Sequence, residues 1–136
     1  MNTKFVHLNK NWNAEPNAPE EEIEVINNDL SLSFVVNPWA YEGFQENQRA
    51  KILFHGCSKW RNGKTNDEGW YSGQCRFSKI APDWGEFYEI SGNLLLEKCP
   101  NDWHIINNKS GNKHFLFYLR DTTFECDAES YEFIHL

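Results

Sequence analysis

From Ile23 to His135 the chain is a succession of short aromatic and β-branched runs, each cut off by an Asn-, Gly- or Asp-rich break. Runs that return about every 8–12 residues between turn signals are the pattern of an all-β sandwich or barrel. Strands are predicted over Phe5 to Leu8, Ile23 to Ile26, Leu30 to Phe34, Ala50 to Trp60, Trp70 to Ser78, Glu86 to Ser91, Leu94 to Lys98, Trp103 to Asn107 and His114 to Arg120. A last stretch, Thr123 to Leu136, carries an interruption. In the run starting at Leu30 the alternation is strict, so Leu30, Leu32, Phe34 and Val36 should face a core while Ser31 and Ser33 face water. The run from His114 to Leu119 is apolar on both faces, as a central strand covered on two sides would be.

Two segments depart from this pattern. Between Trp39 and Gln48 the apolar residues Ala40, Tyr41 and Phe44 fall near helical spacing, with Asn37 placed as an N-cap and Pro38 in the first turn. One short helix is expected there, with Gly43 weighing against it. Residues 9–21 are polar and Pro-containing and read as a connector without a pattern of its own. The whole therefore reads as a single all-β domain over residues 1–136, an antiparallel β-sandwich or β-barrel of about 8–10 strands.

Composition narrows the function classes. Ten Phe, six Trp and five Tyr stand against a single Met. Large rigid rings suit a pleated core and a ligand-lined cavity alike. No stretch approaches the run of about 18 apolar residues that spans a membrane as a helix, and the N-terminus lacks a secretory h-region, so a cytoplasmic protein is expected. Cys57, Cys75, Cys99 and Cys126 form no Cys-x-x-Cys pair, and reduced thiols with no bound metal are the expectation. His55 and Cys57, two apart, would share one face of a strand. Cys75 joins them only if the intervening turn is long, and a tight Asn62-Gly63 turn would send it the other way. No cofactor is expected. Nucleophile-elbow, phosphate-loop, zinc-protease and dinucleotide motifs are all missing, and His104 and His114 read as core or rim residues rather than general bases.

Charge bears most on partners. The stretch from Arg49 to Ile80 holds seven of the 13 basic residues and two of the 20 acidic ones, a net +5, which leaves −12 for the rest of a chain whose total is −7. Within the acidic part, Glu20, Glu22 and Glu24 alternate, as do Glu125, Asp127 and Glu129. Each set would form a carboxylate stripe on one strand face. A solvated face that resists aggregation is the plain reading. A docking surface for a basic protein, a polyamine-like molecule or Ca²⁺ is the sharper one. The bases around Trp60, Trp70, Tyr71 and Phe77 resemble the mixture that binds single strands, but a sequence pI near 5.2 weighs against nucleic acid. A match between this basic stretch and the acidic stripes, within one chain or between copies, explains the same pattern.

The expected function is a non-enzymatic binding module, self-associating as a homo-oligomer, with an acidic surface for a basic protein or cationic small molecule and no membrane partner. Its expected binding residues are Glu22, Glu24, Glu125 and Asp127, with Trp60 and Trp70 contributing to an interface. The alternatives are a β-barrel carrier for an aromatic or cationic small molecule, and an enzyme with a dispersed, motif-less site.

Overall fold

Alternating apolar residues close into two antiparallel sheets in the computed structural model, which describes residues 2–64, 69–70, 77–78, 80–92, 100–109 and 112–136. The strands are β1 (Lys4–His7), β2 (Glu22–Ile26), β3 (Asp29–Val35), β4 (Arg49–His55), β5 (Lys59–Gly63), β6 (Phe87–Ser91), β7 (His104–Ile105), β8 (Lys113–Tyr118), β9 (Thr123–Ala128) and β10 (Ser130–His135). The larger sheet has the order β1-β6-β8-β9-β5-β7 and the smaller one β10-β4-β3-β2. They pack as a β-sandwich, not a closed barrel. The strand expected at Leu94 to Lys98, most of Trp70 to Ser78, and Cys75 and Cys99 lie outside the described residues.

The core is built from the inward half of each alternation. Leu30, Leu32 and Phe34 on β3 and Ala50, Ile52 and Phe54 on β4 meet Phe87, Phe115, Phe117 and Phe124 of the large sheet. Phe34 and Phe117 meet edge to face at 5.5 Å, a favoured geometry for ring quadrupoles. The other face of β6 and β8 is also covered, for Tyr88, Ile90, Leu116 and Tyr118 form a second cluster with Trp70 and Phe77. This is why His114 to Tyr118 is apolar on both sides.

A two-stranded ribbon joins the sheets. β4 pairs with β10 up to His55 and Ser130, and the same two chain segments continue as β5 and β9, where Lys59 meets Asp127. The ribbon bends at Gly56, whose φ of 60° is costly for residues with a Cβ, and at Glu129, whose N–H donates to the His55 carbonyl at 2.9 Å. The bend corrects one expectation: alternation is broken at Gly56, so His55 bonds Glu132 on the outer surface while Cys57 is in the core.

Two further expectations change. Residues 39–48 form turns, not a helix. The Asn37 side chain does accept the Trp39 and Ala40 N–H groups as a cap would, but Gly43 at φ 89° leaves the helical region. Nor are residues 9–21 a bare connector, because Trp12 is buried and stacks on Phe133 at 4.2 Å. Buried Asn9 pins that stretch by donating to the Trp12 carbonyl and accepting the Phe87 N–H.

Candidate functional site

Cross-strand register decides what each acidic stripe meets. On β9 the inward residues are Phe124, Cys126 and Ala128, so Glu125 and Asp127 project from the outer face of the large sheet. Their neighbours in register are cationic or can become so: Arg61 lies opposite Glu125, and Lys59 and His114 flank Asp127 on either side. Glu125 is fully buried. Arg61 Nη1 donates to Glu125 Oε2 at 2.9 Å and grips Asp102 through Nε at 2.7 Å and Nη2 at 3.1 Å. His114 Nε2 lies 2.8 Å from Glu125 Oε1 and Nδ1 2.5 Å from Asp127 Oδ1. Lys59 Nζ lies 3.7 Å from Asp127 and 4.4 Å from the centre of the Trp103 ring.

Two carboxylates around one imidazole favour its protonated form. An ionised carboxylate only accepts, so a histidine bonded to two ionised carboxylates donates from both nitrogens as an imidazolium. Burial works against that charge, but the hydrogen bonds to Asp127 and Glu125 outweigh it and raise the His114 pKa above the ordinary value. For Arg61 burial likewise opposes the charge, and bonding to Asp102 and Glu125 wins. Asp102, held by Arg61, is pushed below the usual carboxylate range.

On β2 the situation is reversed. Glu22 and Glu24 are exposed and lie opposite Ser33 and Ser31. β2 is an edge strand, so its far side carries no ladder among the described residues. Arg49 reaches Glu22 only at 3.9 Å. Glu20 lies before the strand, in a left-handed conformation with φ 47°.

The six expected binding residues are therefore not brought together. Glu22 and Glu24 lie on the outer face of the small sheet, opposite in the sandwich to Glu125 and Asp127, because Ile23 is the β2 residue that packs inward. Glu125 is not part of an exposed stripe. Trp60 packs on the inter-sheet core and stacks on His104 at 4.3 Å, whereas Trp70 is buried in the second cluster, 4.0 Å from Tyr118. Those two indoles form no common surface. β5 takes β9 and β7 as its partners.

His114, Arg61 and Asp102 were missed as a unit. The available signal was Lys59 and Arg61 alternating with the period of Glu125 and Asp127. Cys57 and Cys126 are unpaired and buried, and burial, then the neighbouring Cys57 thiol, pushes Cys126 well above the ordinary thiol range. No group of three or more potential ligands arranged for a metal lies among the described residues, nor does any helix there have the length and apolarity to cross a membrane.

Comparison with protein-family models, curated proteins and solved structures gave no match.

Proposed function

We propose that the protein is a non-enzymatic interaction module that takes an extended basic segment of a partner protein along β2. One observation carries this reading: Glu22 and Glu24 stand exposed on an edge strand, while the equally acidic β9 is occupied from within by Arg61, Lys59 and His114. An edge strand offers main-chain donors and acceptors to an added strand, and its side chains then select the partner. Exposed Val25 and Ile26 extend the contact beyond charge. Copies of this chain would meet carboxylate to carboxylate if they paired through β2, so self-association would use another edge.

The alternatives draw less support. Among the described residues the inter-sheet core is filled by interlocking rings. His114, the one histidine buried between carboxylates, has both nitrogens engaged, whereas a general base needs one free to reach a substrate.

The test uses a fluorescent (Lys-Thr)4 peptide in anisotropy titrations at low and high salt. Binding that weakens with salt and falls at least tenfold in Glu22→Lys/Glu24→Lys is expected. Equal binding by wild type and that variant, or no binding to wild type at low salt, would overturn the reading.

A further inference from the structure

We propose that a groove at the N-terminal end of β2 receives one Arg or Lys side chain of the bound segment, with Trp39 as the plate on which it lies. This rests on the edge-strand reading above and adds a specificity site to it. Trp39 is 71% exposed, more than any other large apolar residue described. It borders a cavity of about 260 Å³ whose other walls include Val35 and Pro38 and whose acidic residues are Glu15, Glu20 and Glu46. Among the described residues, no lysine or arginine lines it.

The neighbouring cations are engaged elsewhere. Arg49 donates to the Glu20 carbonyl at 3.0 Å and to Ser33 Oγ at 3.1 Å, and Arg120 donates to the Asn17 carbonyl at 2.6 Å. They hold the rim of the groove through its backbone. Glu15 fixes the same rim by accepting the Asn17 and Ala18 N–H groups at 3.0 and 2.8 Å.

The chemistry selects a long basic side chain. An indole face attracts a cation through its quadrupole, an apolar wall takes the methylene stem, and three carboxylates supply the counter-charge. A neutral aromatic guest would leave those carboxylates without a cation, and an anionic one would be repelled. Glu20 lies two residues before the first residue of β2, which sets one wall of the groove at the N-terminal end of that strand.

The experiment compares wild type, Trp39→Ala, Trp39→Phe and Glu22→Lys/Glu24→Lys in binding (Arg-Thr)4. It also follows the Trp39 indole resonances on adding Nα-acetyl-arginine amide or its neutral citrulline counterpart. Trp39→Ala should weaken the peptide about three- to tenfold, with Trp39→Phe recovering part of the loss. The arginine amide should shift the Trp39 signals at millimolar concentration, and the citrulline amide should not. Peptide binding that ignores Trp39→Ala but collapses in the β2 double variant would overturn the groove and leave the edge strand standing. Arginine-dependent shifts at Trp39, with peptide binding indifferent to the β2 reversal, would keep the groove and remove the edge. Arginine amide binding as tightly as the peptide would replace a partner side chain with a free small cation and overturn the proposal. Unfolding curves of both Trp39 variants, expected to overlay the wild type because the ring is exposed, separate loss of binding from loss of fold.

Discussion

β2 and β9 carry the same acidic period-two pattern and end in opposite states. β9 lies inside the larger sheet, so strands on both sides bring Arg61, Lys59 and His114 into register with its carboxylates. β2 lies at an edge, where Glu22 and Glu24 lie opposite the serines of β3 and Arg49 reaches Glu22 only at 3.9 Å. The pattern of a strand thus says which residues share a face, while the neighbours decide whether that face is a buried ionic cluster or an open surface. Glu125, Asp127 and Asp102 are met by Arg61, Lys59 and His114, whose pKa this setting raises. Part of the basic stretch is therefore matched within the chain, whereas Glu22 and Glu24 on β2 stay exposed.

The sharpest way to break this contrast is to remove one partner on each strand. His114→Ala takes one donor from fully buried Glu125, and breaking a buried charge pair from one side costs about 3–5 kcal/mol. Glu24→Lys changes an exposed edge residue and should alter stability by no more than about 0.5 kcal/mol. Urea denaturation of both variants measures the difference. Equal losses would mean that the β9 cluster contributes no more to stability than the exposed edge.

A smaller effect is expected from pH alone. The folded-state pKa of His114 is raised, so its contribution to stability is complete below the unfolded value of about 6.5 and is lost as pH rises through the higher folded value. Wild-type stability should therefore fall as pH rises above about 6.5. His114→Gln should lack that part of the slope. Identical pH profiles in urea denaturation would show that His114 is not the imidazolium its two carboxylates require.

Much of the sandwich could be read along the chain because its signals are local. The turn at Asn27 and the alternation from Leu30 to Phe34 specify the first hairpin, and the interruption expected within Thr123 to Leu136 separates β9 from β10, its place at Glu129 coming from the structure. The cluster around His114 was hidden because Arg61 and Glu125 become neighbours only when distant strands pair. Trp12 was hidden by the polar residues around it. His55 and Cys57 were misplaced together because one glycine bend cancels the period of two. At residues 39–48 the cap signal was sound, and the backbone after it was not helical.

The smallest expected effect probes the rim of the same ionic cluster. Asp102 makes two hydrogen bonds to Arg61, yet its side chain is 56% exposed, and water already screens the pair. Asp102→Asn should therefore cost less than about 1 kcal/mol, because exposed ion pairs seldom contribute more and Arg61 keeps Glu125. Its pH dependence runs opposite to that of His114. Hydrogen bonds from Arg61 lower the Asp102 pKa against the pull of burial, so its contribution is present above the unfolded value of about 3.9 and lost as pH falls through the lower folded value. Wild type and Asp102→Asn should converge in acid and differ slightly at neutral pH, as read by urea denaturation at both. A loss at neutral pH as large as that of His114→Ala would mean that Asp102, through its grip on Arg61, governs the buried carboxylate, and the division between a buried centre and a screened rim would fail.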